Sequence, residues 1–287
     1  MAPDFAPILR SAASVISTPL PDVPAWLRAF DSREIPILAA TANTIDDLRC
    51  NEDAVDAHLL AEGMQADPLM TLKLLRHVAA LRHGRDQSDA ETATEALVML
   101  GITPFFREFG PQPTVEQALA GRPEALAGMR RVLRRAHRAA RFALAFAVHR
   151  HDHDAALIHE AALLHDFAEL LLWAHAPALA LAVARQLQAE PGLRSVDAQQ
   201  LHLHIHLADL QQALMKAWHL PVLLVKISDD HSSTNSQVRN VQLALRVARH
   251  SARGWDNPAL PDDVDAVADL LNLGTVPTLN LLHDLDR

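Results

Sequence analysis

Alanine and leucine dominate this 287-residue sequence, and both residues are strong helix formers. Aromatic residues, which favour strands, make up only 4% of the chain, and tyrosine is absent. Glycine is also scarce, with 9 residues. The composition therefore predicts an all-α fold, in a chain long enough for one large domain or two modest ones.

The charge balance limits the classes of partner. Asp and Glu number 35 against 26 Lys and Arg, which gives a net charge of −9. Such a chain has no general attraction to nucleic acid or to anionic membranes, so we expect neither as a partner. The sequence does not start with a basic stretch followed by an apolar run, and its most apolar stretch, residues 170–184, is too short to span a bilayer. We therefore expect a cytoplasmic protein.

Apolar residues recur at helical spacing from residue 37 onward, whereas residues 1–30 hold several prolines and are predicted to form an arm with at most one short helix. We predict helices over about residues 69–81, 93–101, 123–148, 155–173, from 177, 207–220, 237–253 and 262–271. The run from Leu201 to Leu207 alternates apolar residues with histidine, which by period alone suggests a short strand. If that run is helical instead, His202 and His206 share a face.

Three segments carry a resemblance to a known family. They are Ala66-Asp67-Pro68 followed by Leu74-Leu75-Arg76, the stretch Glu95-Ala96-Leu97-Val98-Met99-Leu100-Gly101, and the stretch Ala161-Ala162-Leu163-Leu164-His165-Asp166. Trp218, Leu220-Pro221 and His231 continue the pattern. Over about residues 31–232 the chain resembles the HDOD family, a bacterial offshoot of the HD superfamily of metal-dependent phosphohydrolases.

The resemblance implies a two-lobed helical bundle. Its N-terminal lobe, about residues 31–125, is a bundle peculiar to HDOD proteins. Its second lobe, about residues 126–232, is an HD-like bundle. The arm of residues 1–30 precedes these lobes, and a helical extension of residues 233–287 follows them.

The resemblance also implies a metal site, which is incomplete in this chain. An active HD hydrolase has a first histidine, a His-Asp pair and a late aspartate, ligands that suit divalent transition metals and activate a bound water. The late aspartate falls near Leu245, which cannot bind metal, and Glu169 stands where the family often has a lysine. The remaining vestigial metal candidates are His137, His165, Asp166, His206 and His231.

Asp166 lies between apolar residues, where burial of its carboxylate is costly unless the group is hydrogen-bonded, paired or metal-bound. A bond to His137 or to an arginine would stabilise it without metal. We therefore expect no catalytic residue and no required cofactor, although a divalent metal is compatible with the remaining ligands. The resemblance implies a signal-transduction module that binds a signalling protein or a small ligand. The alternative is a metal-dependent HD-type phosphohydrolase acting on a nucleotide or cyclic nucleotide.

Arginines form a stripe on the long helix predicted over residues 123–148. On a helical wheel, one face is apolar (Leu133, Ala140, Leu144, Ala147), and the other is basic (Arg130, Arg134, Arg138, Arg141). Guanidinium groups bind phosphate and carboxylate well, so Arg134, Arg138 and Arg141 are candidates for a face that binds phosphate or an acidic partner. The alternatives are that this face is simply solvated or pairs with the chain's own carboxylates.

Overall fold

The computed structural model describes residues 15–82, 90–190, 192–228 and 235–287, and these residues form helices and no strand. The predicted all-α class is therefore confirmed. The helices are α1 (Val23–Asp31), α2 (Ala39–Arg49), α3 (Ala57–Met64), α4 (Pro68–Arg82), α5 (Ala93–Leu100), α6 (Ile102–Glu108), α7 (Val115–Ala118), α8 (Pro123–His149), α9 (Ala155–Leu164), α10 (Phe167–His175), α11 (Pro177–Ala189), α12 (Ser195–Leu203), α13 (Leu207–Ala217), α14 (Val222–Ile227), α15 (Ser236–His250), α16 (Leu260–Leu271) and α17 (Thr275–Leu285). A short 3₁₀ turn covers Glu52–Ala54.

The 27-residue helix α8 is the central element, and α9, α10, α11, α15 and α17 all pack against it. It begins at Pro123, whose fixed φ and missing N–H suit the first turn of a helix. Its buried side is rich in alanine, which allows neighbouring helices to approach closely. Gly128 allows the closest approach, because a Cβ atom there would overlap the indole ring of Trp173 on α10.

The helix predicted over residues 155–173 is wrong in one respect, because it is interrupted. The segment divides into α9 and α10 at a turn formed by His165 and Asp166. Asp166 leaves the helical region, with φ −105° and ψ 23°, and its carbonyl accepts a hydrogen bond from Leu170 N. The interruption places the His-Asp pair at a helix junction and not within a continuous helix.

Two further predictions need correction. The strand suggested by the alternating histidines is wrong, because α12 continues to Leu203 and ends at His204, whose left-handed φ of 63° stops the helix. Residues 237–271 were predicted to hold the last two helices, but α17 follows them. Pro277 lies in the first turn of α17, where proline is tolerated.

The short helix expected in residues 1–30 is α1, and it belongs to the core. Its Trp26 and Phe30 are buried, and α1 packs on α13. Trp26 Nε1 donates to the carbonyl of Leu203 at 3.0 Å. Ile16 N donates to the carbonyl of His175 at 2.8 Å, so the packed part of the chain starts before α1. The division into lobes at about residue 125 stays a prediction.

Within the residues that the structure describes, no single helix is long and apolar enough to cross a bilayer. Helices α9 and α10 reach that length and composition only together with α11, at a bend of 117°.

One buried carboxylate accepts hydrogen bonds from the starts of two helices. Asp67 is fully buried, and its Oδ1 accepts hydrogen bonds from Leu69 N at 2.9 Å and Met70 N at 3.1 Å in the first turn of α4. Its Oδ2 accepts from Leu38 N at 2.7 Å, at the start of α2. Burial raises the pKa of Asp67, and these backbone donors oppose the rise. The Asp67-Pro68 pair is therefore a structural joint between α2 and α4.

We expect Asp67→Ala to lower the free energy of unfolding by about 3 kcal/mol, because it removes a helix cap and leaves buried N–H groups without acceptors. Asp56 is the matched control, since it caps α3 at an exposed position by accepting from Leu59 N at 2.8 Å. Asp56→Ala should cost about 1 kcal/mol. Urea denaturation measures both, and equal losses would contradict the assignment of Asp67 as a joint.

A second, partly buried carboxylate joins α9 to α5. Both oxygens of Glu160 accept from Ala93 N, at 2.9 and 3.1 Å, at the first residue of α5. Burial raises the pKa of Glu160 to about 7; the hydrogen bond from Ala93 opposes this rise and the charge of Glu95 adds to it. Glu160 therefore changes its charge near neutrality.

This raised pKa predicts a pH-dependent stability. Between the ordinary glutamate value of 4.5 and about 7, the folded protein binds the Glu160 proton more than the unfolded chain does. The stability that Glu160 contributes is therefore fully present below the lower value and is lost as pH rises through the upper one. Glu160→Gln should remove this loss between about pH 5 and about pH 8 in urea titrations. Glu62→Gln, at an exposed position on α3, should keep the wild-type pH dependence, and the same dependence in Glu160→Gln would contradict the prediction.

Candidate functional site

The His165-Asp166 turn faces α8 and α15, and each of these helices directs an arginine to it. Arg135 of α8 donates from Nε to Asp166 Oδ2 at 2.8 Å. Arg249 of α15 donates from Nη2 to Asp166 Oδ1 at 3.2 Å. His165 Nδ1 lies 3.1 Å from the same Oδ1 atom. Asp166 is thus contacted at both carboxylate oxygens, with its side chain only 11% exposed.

Glu169 extends this network by one helical turn. Arg135 Nη2 donates to Glu169 Oε2 at 2.6 Å, so one guanidinium binds two carboxylates of α10 and its preceding turn. Trp173 Nε1 donates to Glu169 Oε1 at 3.4 Å. The glutamate at the position where the resemblance leads one to expect lysine therefore acts as a partner of Arg135.

The electrostatics keep this network charged. Burial alone would raise the pKa of Asp166, but Arg135 and Arg249 outweigh it and hold the pKa well below its ordinary range. Burial also opposes the charge on Arg135, yet Asp166 and Glu169 raise its pKa above the ordinary value. The carboxylate and the guanidinium are ionised together at neutral pH.

His137 lies away from the Asp166 carboxylate, so the pairing of these two residues is not formed. Its Nε2 donates to the carbonyl of Ala66 at 2.7 Å, immediately before the Asp67-Pro68 joint. His159 lies near enough to His137 for the two charges to interact; burial first, and then His137, lower the pKa of His159. His137 is therefore a contact between α8 and the start of α4.

The other metal candidates do not complete a site. His206 precedes α13, is 43% exposed on its side chain, and has Nδ1 3.5 Å from Asp209 Oδ2. His231 lies outside the described residues. Leu245, at the position of the expected late aspartate, is buried at 2% exposure. Arg249 lies one helical turn beyond Leu245 on the same side of α15, and it reaches Asp166.

These residues do not fit a divalent metal. In the described part of the chain, no three His, Cys, Asp or Glu side chains converge as ligands. The Asp166 oxygens already accept from two guanidinium groups, which carry permanent positive charge and repel a cation. The geometry supplies a structural ion-pair network, and no step of hydrolysis follows from it.

The three candidate arginines of α8 have different surroundings in the structure. Arg138 binds Asp286 through two hydrogen bonds, at 2.7 and 2.8 Å, and also donates to the carbonyl of Ala248 at 3.0 Å. Arg134 and Arg141 are exposed. The arginines that neutralise Asp166, Arg135 and Arg249, are not among the predicted site residues. Arg135 is one of six arginines within residues 130–141, and Glu169 was the available signal that the site contains a cation.

Comparisons with known proteins agree with this fold. The HDOD domain matches residues 35–234, whereas a search of curated protein sequences finds no match. The crystal structure of the MmoQ response regulator from Methylococcus capsulatus str. Bath is similar, with a TM-score of 0.65 and 19% identity over 88% of this chain and 98% of that one. A virulence factor from Campylobacter jejuni subsp. jejuni gives a TM-score of 0.61 and 17% identity, over 91% of this chain and 97% of its own. Identities this low show the fold alone, but the domain match covers more than half of the sequence, and the chain therefore belongs to the HDOD domain family.

Proposed function

We propose that this chain is a cytoplasmic, non-catalytic HDOD module that regulates a signalling process by binding a partner protein or a small ligand, with no cofactor. The observation that carries the proposal is the double contact of Asp166 with Arg135 and Arg249. It supports a site in which permanent cations of the chain itself take the role that a metal has in an HD hydrolase.

The chemistry of arginine separates this role from hydrolysis. A metal in a hydrolase accepts a water oxygen as ligand and lowers the pKa of that water. A guanidinium group has donors only and no vacant coordination position, so it neutralises a carboxylate without activating a nucleophile in this way. The pairs formed by Arg135 and Arg249 therefore favour a scaffold over an enzyme.

The regulatory part of the proposal rests on family membership. One protein of the same fold is named a response regulator. We carry this regulatory role over to the present chain as a proposal.

The first test measures metal and activity. Protein purified without chelator should contain much less than one equivalent of divalent metal, and it should leave nucleotide monoesters and cyclic nucleotides unhydrolysed. Stoichiometric metal, together with hydrolysis that is lost in His165→Ala, would instead establish the alternative, a metal-dependent HD-type phosphohydrolase. Arg194→Ala, at the exposed residue that precedes α12, is the control for any loss.

The second test measures the ion pairs directly. We expect Arg135→Ala to lower the free energy of unfolding by about 3 kcal/mol, because it leaves the carboxylate of Asp166 buried with less compensation. Arg249 is 46% exposed, so solvent screens its contact, and Arg249→Ala should cost about 1 kcal/mol or less.

The dependence of folding stability on acidic pH is a second test of the same ion pairs. The pKa of Asp166 is lowered by folding, so its contribution to stability is present above the ordinary aspartate value of 3.8 and is lost as pH falls below it. Asp166→Asn should remove this acid-sensitive contribution. A wild-type melting temperature that rises with Mn²⁺ and falls with chelator would contradict the assignment.

A further inference from the structure

Four arginines of α8 are exposed and, among the described residues, form no hydrogen bond or ion pair; they are Arg130, Arg131, Arg134 and Arg141. This is unexpected in a chain with 35 acidic against 26 basic residues. Exposed arginines elsewhere do pair, as Arg185 does with Glu124 and Arg194 with Asp197. The outer side of α8 therefore carries a local positive charge with which no carboxylate of the described residues pairs.

The neighbouring arginines on the same helix have structural partners. Arg138 donates to Asp286 of the segment after α17, and its Nη2 donates to Ser251 Oγ at 2.7 Å. Arg135 is bound to Asp166 and Glu169. Within the described residues, the carboxylates that bind these two arginines therefore lie on the side of α8 that carries Arg135 and Arg138.

Three of the four unpaired arginines lie along a line. At about 100° per residue, Arg130, Arg134 and Arg141 fall within about 40° of each other and extend over about 16 Å of helix. Leu144 and Val148 continue this side of α8, and they are 38% and 59% exposed. Leu144, which the helical wheel places on the apolar face, lies at the exposed edge of that face. We call this line of five residues the α8 stripe.

We propose that the α8 stripe docks an acidic amphipathic helix of a partner protein, with carboxylates against Arg130, Arg134 and Arg141 and aliphatic side chains against Leu144 and Val148. This inference rests on the proposed function, in which the module acts by binding, and it names the binding surface and the chemistry of the partner. Recognition of one face of a helix through anchors one to two turns apart is a common mode of protein recognition.

The dimensions and the charge favour this occupant over the alternatives. The three arginines extend over about 16 Å, which is too long for a single phosphate group to contact them all. A nucleic acid would meet a protein of net charge −9, and it would leave Leu144 and Val148 without apolar partners. A short acidic helix satisfies both the basic and the apolar part of the α8 stripe.

The experiment uses the full chain and a labelled synthetic helical peptide. This peptide, called the ordered peptide, carries glutamates along one face and leucines that continue that face. A shuffled peptide of equal composition is the control probe. Fluorescence anisotropy should show binding of the ordered peptide that weakens with added salt. Arg134→Glu with Arg141→Glu should weaken this binding at least about tenfold, and Leu144→Ala with Val148→Ala should weaken it without changing the salt dependence.

The matched control reverses two exposed arginines on other helices, Arg28 of α1 and Arg107 of α6, which changes the net charge by the same amount. It should bind the ordered peptide as the wild type does. All variants should melt like the wild type, because the substituted side chains are exposed and make no hydrogen bond or ion pair with any residue that the structure describes.

Several results would overturn the inference. They are failure of the ordered peptide to bind, equal binding of the shuffled peptide, equal loss in the control variant, and displacement of the peptide by pyrophosphate or duplex DNA at lower concentrations. Self-association that disappears in Arg134→Glu with Arg141→Glu would assign the α8 stripe to a second copy of this chain instead. The metal and hydrolysis assays decide the non-catalytic role independently, so failure here leaves that role testable by itself.

Discussion

The buried carboxylate of Asp166 is the constraint on which the arrangement of α8, α9, α10 and α15 depends. A charge with 11% side-chain exposure must be neutralised where it lies, and Arg135 and Arg249 approach it from two different helices. These contacts join α8 and α15 to the turn between α9 and α10. A metal in an HD hydrolase ties helices together in the same way, because its ligands come from several of them. In this chain, Arg135 and Arg249 form such a cross-link between α8, α15 and the His-Asp turn.

Two residues of the segments that carry the family resemblance, Arg76 and Trp218, meet at a junction whose contacts are structural. The guanidinium carbon of Arg76 lies 4.5 Å from the ring centre of Trp218, and both side chains donate to Asp31 Oδ1, at 2.8 and 2.9 Å. Trp218 also stacks on Phe167, with ring centres 6.0 Å apart, next to the His-Asp turn. Packing between α4, α10 and the end of α13 thus accounts for Arg76 and Trp218 in the sequence pattern, and these two residues are no evidence of catalysis.

Local signals in the sequence were sufficient to predict most of the helices. At the candidate site they were sufficient to identify the His-Asp pair but not its partners. Helical periodicity and the caps at Asp67 and Thr92 predict α4, α5 and α8 closely, because these signals act within one or two turns. The interruption at Asp166 and the partners of its carboxylate depend on residues 31 and 83 positions away. No local pattern could select Arg135 and Arg249 from the many arginines. The resemblance could identify only the His-Asp pair itself.

The same long-range contacts determine which side of α8 faces outward. An isolated amphipathic helix can rotate about its axis at little cost, but α8 is fixed at three levels along its length. Gly128 accepts the indole of Trp173, Arg135 binds Asp166, and Arg138 binds Asp286. Any rotation would break a charge-assisted hydrogen bond or produce a steric clash. The arginines with structural partners therefore hold the unpaired ones in a fixed direction, and a partner that docks on the α8 stripe would meet a surface whose backbone is already ordered, which lowers the entropic cost of binding.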